Sequence, residues 1–213
     1  MSYPDFFKLC PEWTDFFFSS ELEKEILPIL DTLSFEKEEK KYYPDEKDIF
    51  RCFYATPYNK VNIVLLGQDP YCNGSATGLC FDVKFGNKLN PSIQNIYREL
   101  EDEGYFPVKD GNLEGWAKQG ILLLNTSLTV NHNSPESHLE LWGSFMNKIF
   151  ENKTLLISGG TGSFGNAVLN RFLNTDHFKE IRIFSRDEKK QDDMRNLYKN
   201  PKIKFHIGDV RDY

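Results

Sequence analysis

The stretch Val61-Asn62-Ile63-Val64-Leu65-Leu66-Gly67-Gln68-Asp69-Pro70-Tyr71 constrains the fold more than any other part of the chain. Five of its first six residues are apolar and three of those are β-branched, the composition of a strand buried on both faces in a parallel sheet. Gly67 then frees the backbone and Pro70 stops the strand, so Gln68 and Asp69 emerge at its carboxyl end. Open α/β sheets place their ligand crevices there. A second apolar run, Gly120-Ile121-Leu122-Leu123-Leu124-Asn125, delivers one polar side chain in the same way. From residue 61 onward strand-like and helix-like segments alternate, which predicts an α/β fold: three layers, α/β/α, around a parallel central sheet with right-handed crossovers.

The remaining segments fill in this plan. Residues 1–50 read as a helical lead-in, with Ser20 and Glu23 forming a capping box and Leu22, Ile26, Ile29 and Leu30 on one face. The charged stretch from Glu36 to Lys41 reads as a solvated helix end, and Asp48–Phe53 as one short helix. Leu79–Val83 is a short extended piece; Pro91–Leu100 is an amphipathic helix opened by proline, and Ser137–Phe150 a second helix. Lys153–Ser158, Glu180–Ser185 and Ile203–Asp209 read as further strands, separated by helices over Ala167–Leu173 and around Asp192–Tyr198.

Composition narrows the class. The 213 residues are 39% hydrophobic and 15% aromatic, enough for a substantial core. The four cysteines form no C-x-x-C pair, and Met1-Ser2-Tyr3-Pro4-Asp5 resembles no signal peptide, which predicts an intracellular, reducing, cytoplasmic setting, nuclear in a eukaryotic or viral host. No apolar run approaches the roughly 18 residues that a membrane span needs. Residues 1–150 carry 14 basic and 23 acidic groups, a balance of −9, whereas 151–213 carry 12 and 9, a balance of +3, giving −6 together. Neither part has the basic footprint of a non-specific DNA binder, so any DNA contact must rest on a local site.

Asp69 is the candidate acid–base group, with capping of the following turn as its alternative role. Asn125 presents donor and acceptor side by side, the pattern that reads the amide edge of a planar heterocycle, and Phe81 could stack on such a ring or serve the core. These residues lie within a set of motifs: Gly67-Gln68-Asp69-Pro70-Tyr71, Gly78-Leu79-Cys80-Phe81, Pro91-Ser92-Ile93-Gln94-Asn95-Ile96-Tyr97, Gly115-Trp116-Ala117-Lys118-Gln119-Gly120, Leu122 to Val130, and Ser137-His138 with Trp142. In this order and spacing they resemble family 1 uracil-DNA glycosylases from about Tyr42 to Phe150. The resemblance implies a uracil flipped out of DNA, with Asp69 orienting or activating water as the N-glycosidic bond breaks. It further implies Asn125 reading the uracil edge, Phe81 stacking, Tyr71 excluding thymine's methyl group and Gln68 in the pocket wall. Ser75, Pro91 and Ser92 would lie near DNA phosphates. No cofactor or metal is implied, the partner is uracil-containing DNA and not a membrane, and the protein is expected to be monomeric.

Two features depart from that pattern. Cys72 stands where the family's motif ends in histidine, and the family's His-Pro-Ser-Pro-Leu-Ser loop does not occur within these 213 residues. Loss of such a preorganised donor to a developing anion typically costs about 100- to 1000-fold in rate. From Lys153 the chain instead resembles the start of an extended short-chain dehydrogenase/reductase of the nucleotide-sugar 4,6-dehydratase type, on Ser158-Gly159-Gly160-Thr161-Gly162-Ser163-Phe164-Gly165, Ile183–Lys190 and Gly208–Asp212. That resemblance implies NADP or NAD held by Gly159, Gly162, Ser163, Phe164 and Gly165 at a helix N-terminus, with Ser185 and Arg186 at a 2′-phosphate and Asp209 near adenine. The resembled segment stops short of the part of that family that carries its catalytic Tyr-x-x-x-Lys pair, so dehydratase activity is not expected.

Three readings follow: a glycosylase-like protein with weak or absent excision, a dinucleotide-binding module, and a chimeric fusion with no selected activity. The domain expectation is residues 1–150 as the glycosylase-like segment and 151–213 as a partial Rossmann segment. Leu155–Ser158 and Ile181–Phe184 are expected to complete the first segment's sheet, a single composite, with Ser185-Arg186-Asp187 in place of the histidine loop.

Overall fold

The computed structural model describes residues 10–19, 21–39, 41–175 and 178–209. The chain divides into two compact units, residues 1–145 and 146–213.

In the first unit, α1 (Thr14–Ser19) leads into α2 (Leu22–Glu39), which buries Leu22, Ile26, Ile29 and Leu33 at the three- and four-residue spacing of one helix face. The capping box expected at Ser20 lies outside the described residues. An aromatic cluster forms the core beneath these helices: the Trp13 and Phe53 rings meet edge-on at 4.9 Å, Phe17 and Phe53 at 5.3 Å, and Trp13 Nε1 donates to Thr56 O at 2.9 Å. The helix expected at 48–53 is a 3-10 turn over Glu46–Asp48 followed by α3 (Arg51–Ala55).

Two short strands, β1 (Tyr42–Tyr43) and β4 (Val130–Asn131), pair antiparallel. The two apolar runs form β2 (Ile63–Gly67) and β3 (Ile121–Asn125), parallel, in a register that puts Gly67 opposite Asn125. β3 is buried over Leu122–Asn125, but β2 is not enclosed on both faces as expected: Ile63 is 59% and Val64 46% exposed. Among the described residues β2 has a ladder partner on one side only, so its amino-terminal half meets solvent. The unit is completed by α4 (Pro91–Asp102) and α5 (Glu114–Lys118), while α6 (Gly143–Phe150) spans the division between the units.

Two local expectations are corrected here. Residues 79–83 form a turn, with Phe81 in the left-handed region at φ +64°, instead of an extended piece. The helix expected from Ser137 begins only at Gly143. Side chains in between are committed elsewhere: Ser137 Oγ accepts from Asn131 N at 2.9 Å and the His138 ring is bonded to Thr129 at 2.8 Å, which competes with helical geometry.

The second unit is a βαβαβ arrangement: β5 (Lys153–Ser158), α7 (Ser163–Leu173), β6 (Phe178–Ser185), α8 (Glu188–Tyr198) and β7 (Ile203–Ile207), with the strands parallel in the order β5-β6-β7. Ile157, Leu169, Phe172, Ile181, Ile183 and Met194 supply its core. Among the described residues β2 ladders with β3, and β5 with β6, so hydrogen bonding places them in separate sheets. β5 to β7 pair with one another in consecutive register.

Candidate active site

The carboxyl ends of β2 and β3 are stitched together by Thr126 N donating to Gly67 O at 3.0 Å, Ser127 N to Gln68 O at 3.0 Å and Thr126 Oγ1 to Gln68 O at 2.7 Å. This fixes Asp69 and Asn125 at the rim of a cavity of about 320 Å³, lined by Gln68, Asp69, Pro70, Tyr71, Cys72, Phe81, Asp82, Ser92 and Asn125 among others. Its volume is at the lower end of ligand pockets, which run from roughly 300 Å³ upward. Four widely separated segments therefore converge on one site.

Asn125 is 6% exposed, and among the described residues no hydrogen bond engages its side-chain amide. The amide lines the cavity. Gly67 makes its position possible, because a Cβ there would overlap Asn125 Oδ1 and lie 2.9 Å from Cys80 Cβ. Gly67 was expected to free the backbone, but its φ is not in the left-handed region, and the role the structure shows is to leave room for the amide.

Asp69 is partly buried. Its Oδ2 accepts from Glu136 N at 2.7 Å and Oδ1 from Gln68 Nε2 at 3.4 Å. The first bond comes from a loop 67 residues away, so Asp69 is oriented by tertiary structure and not by the turn it sits in. Tyr71 has a buried hydroxyl, and burial, reinforced by the Cys80 thiol, pushes its pKa up to about 12. Ser92 and the Ile93 amide lie near enough to soften that shift without completing a hydrogen bond. Tyr71 is thus a neutral, space-filling wall. Cys80, also buried, donates its thiol to Leu65 O at 3.2 Å, and burial raises its pKa.

Phe81 lines the cavity from its left-handed turn. Next to it, Asp82 is 3% exposed, accepts from Thr77 Oγ1 and Leu113 N, and faces Arg51 Nη1 at 3.5 Å. Burial raises its pKa, and the hydrogen bonds and Arg51 oppose the rise. Asp82 escaped the sequence reading. The available signal was a lone carboxylate inside the apolar run Leu79-Cys80-Phe81-Asp82-Val83.

The expected DNA-contact residues divide. Pro91 and Ser92 are exposed at the start of α4, and Ser92 also lines the cavity. Ser75 is 3% exposed and spends its hydroxyl internally, donating to Asn73 Oδ1 at 2.7 Å and accepting from Asn90 Nδ2 at 3.0 Å. It braces the loop from within.

In the second unit, Gly162 caps α7, and a Cβ on Gly165 would overlap the backbone of Gly160. Gly159 has φ +60°. The turn and the start of α7 are thus packed backbone to backbone. Of the other expected cofactor residues, Ser163 starts the helix, Ser185 Oγ shares a hydrogen bond with Thr161 Oγ1 at 2.8 Å, and Arg186 Nη1 pairs with Asp209 Oδ2 at 3.2 Å. Phe164 lies in the helix, and its side chain is outside the described set. No group of three or more metal-ligating side chains occurs among the described residues. No described helix is long and apolar enough to cross a membrane.

Comparison with known proteins gives two kinds of match. The model of a polysaccharide biosynthesis protein family matches residues 155–213. The chain is 49% identical over 116 residues to a uracil-DNA glycosylase of Aliivibrio salmonicida, covering 53% of this chain and 52% of that protein. It is 40% identical over 148 residues to a uracil-DNA glycosylase of Fusobacterium nucleatum, covering 68% of this chain and 65% of that protein. The chain therefore spans about half to two thirds of the length of these curated relatives, and the matched part is homologous to them. Among solved structures, mimivirus uracil-DNA glycosylase superposes with a TM-score of 0.64 at 24% identity, covering 80% of this chain and 70% of that one. A variant of mimivirus UNG in complex with UGI gives 0.63 at 25% identity, covering 76% and 64%. The α/β architecture is the one these structures share.

Proposed function

We propose that the first unit recognises uracil extruded from DNA and hydrolyses its N-glycosidic bond, as a uracil-DNA glycosylase that needs no cofactor. The observation that carries this reading is the buried, uncommitted amide of Asn125 beside the oriented carboxylate of Asp69 in one cavity. Homology over the matched part supports it.

The roles assigned are those the family resemblance implies, for residues that line one cavity. Asn125 donates and accepts along the uracil amide edge, Phe81 stacks on the ring, and Tyr71 fills the space a thymine methyl group would need. Asp69, held by the Glu136 amide, accepts the proton of the attacking water or fixes its direction as the bond to the sugar lengthens. Gln68 lines the mouth. Pro91 and Ser92 meet a phosphate at the amino-terminal end of α4, where the unpaired amides and helix dipole favour an anion. An electron pair from the breaking bond ends on uracil. The family's His-Pro-Ser-Pro-Leu-Ser loop, whose histidine would receive that charge, does not occur among these residues. Four free thiols fit a reducing cytoplasmic setting.

The test is release of uracil from a single-stranded oligonucleotide by the parent and by Asp69→Asn. The parent should release uracil at a measurable rate and the variant should be slower by at least about 100-fold, the usual range for a general base. Equal rates would sink the excision step.

A second reading concerns the second unit, favoured by the packing of Gly165 on Gly160 and the family match over 155–213. Residues 159–165 would hold a pyrophosphate and Ser185, Arg186 and Asp209 the adenosine end of NADP or NAD. Arg186 must first leave Asp209 to reach a 2′-phosphate. Titration of the parent and Gly162→Val with NADPH tests it, and absence of binding by the parent ends it.

A further inference from the structure

We propose that Asp82 and Arg51 form a positioning clamp that holds Phe81 in its left-handed turn and so sets the stacking wall of the cavity. This rests on the uracil-recognition reading for its consequence but not for its geometry.

Phe81 sits at φ +64°, a conformation that costs a bulky residue energy and persists only where its surroundings over-determine it. On its amino-terminal side the chain is pinned to the sheet: Cys80 N donates to Leu123 O at 3.1 Å and Cys80 Sγ to Leu65 O at 3.2 Å. On its carboxyl-terminal side the pin is a side chain. Asp82 accepts from Thr77 Oγ1, which turns back across the loop, and from Leu113 N, which ties the loop to the segment before α5. Val83 N donates to Gly111 O at 2.9 Å, extending the same tie.

Arg51 makes the carboxylate tenable. Its guanidinium reaches Asp82 at 3.5 Å, donates to Thr77 O at 3.2 Å and pairs with Glu114 at 3.3 Å, so one cation from α3 spans both ends of the loop and the start of α5. The Asp82 side chain is 4% and that of Arg51 21% exposed, placing the contact out of bulk water, where a broken pair leaves a costly charge. Gly78 completes the arrangement: a Cβ there would overlap Asp48 O and approach Arg51 Cβ to 2.8 Å. With both flanks fixed, the Phe81 ring has one orientation to offer. Asp82 touches no reacting atom in this scheme and acts through its neighbour.

The test is a double-mutant cycle of Asp82→Asn and Phe81→Ala in an Asp69→Asn background. Affinity is measured by fluorescence anisotropy for one single-stranded oligonucleotide carrying either uracil or thymine. Amide hydrogen exchange is followed in parallel. Loss of a base–aromatic stack weakens binding by about 5- to 140-fold, so Asp82→Asn should cost a sizeable part of that in uracil selectivity. It should add little once Phe81 is alanine. Exchange at Cys80 and Val83 should quicken by about tenfold or more while the β2–β3 ladder stays protected. Arg51→Gln should move both readouts in the same direction, and carries the test if Asp82→Asn does not fold. Equal selectivity losses with and without Phe81 overturn the proposal, as does unchanged exchange at Cys80 and Val83. If the unsubstituted chain does not tell uracil from thymine, the uracil reading fails, and exchange alone decides the clamp.

Discussion

Gly67→Ala isolates the relation between the two strands that build the site. The backbone at Gly67 is not in the left-handed region, so alanine meets no conformational penalty there and the whole effect is steric. The added Cβ overlaps Asn125 Oδ1 and stands 2.9 Å from Cys80 Cβ. Cys80 cannot give way freely, since its thiol and amide are both bonded to the sheet. The yielding group is therefore the Asn125 amide. Overpacking of this kind costs about 1–3 kcal/mol, partly offset by about 0.4–1 kcal/mol from the stiffer unfolded chain. For a chain of this length each 1 kcal/mol lowers the melting temperature by roughly 2–4 °C. Displacing the amide from a two-bond reading of the base removes about 1–3 kcal/mol of discrimination, or about 5- to 140-fold. Thermal unfolding followed by circular dichroism, together with uracil-versus-cytosine oligonucleotide affinities, measures both, since cytosine presents the opposite donor and acceptor pattern on that edge. The adjoining control is Gly67→Ala with Asn125→Ala, which should recover most of the stability and none of the discrimination. If Gly67→Ala keeps full discrimination, or the double variant melts no higher than Gly67→Ala, the reasoning about this contact is wrong.

Other outcomes can be checked alongside. With its pKa pushed up to about 12, Tyr71 favours folding while neutral, and that contribution drains away as pH rises from the unfolded tyrosine value through 12. The phenolate absorbance difference between parent and Tyr71→Phe should accordingly appear only near the upper end of that window; a midpoint at the ordinary tyrosine value would contradict it. Asp82 also titrates above its unfolded value, so its contribution is fully present below that value and is lost as pH rises through the folded one. Urea midpoints of the parent should fall relative to Asp82→Asn across the acid range and then run parallel, and a gap of the opposite sign would refute the direction. Gly165→Ala drives a methyl group into the Gly160 backbone and should cost the second unit about 1–3 kcal/mol. Limited proteolysis should then open residues 146–213 while uracil-DNA affinity is unchanged; loss of that affinity would tell against the assignment of recognition to the first unit.

What was legible in the sequence is what depends on local pattern. Two apolar runs ending in a carboxylate and an amide specify β2 and β3, and side-chain alternation with strand pairing brings Asp69 and Asn125 to one edge. The glycine turn and its helix were legible because each glycine marks a contact no side chain permits. Tertiary bonds were not. The left-handed turn at Phe81 is imposed by partners at Thr77, Leu113 and Leu123, and nothing in the run 79–83 announces it. The late start of α6 likewise follows from bonds of Ser137 and His138 to residues six and nine positions earlier, which override a helical pattern. The composite sheet was a plausible continuation of alternating elements, but periodicity does not say which strand a third strand will choose.

The outer edge of β2 has a consequence for the behaviour of this protein in solution. Among the described residues β2 has one ladder partner, and Ile63 and Val64 on it are exposed to water. Natural proteins usually blunt such an edge with a charge or a bulge because it templates pairing with a neighbouring chain. Self-association rising with concentration is therefore the default hazard of this molecule. A lysine at the position of Val64 would act as a gatekeeper, leaving the crevice at the far end of the strand untouched.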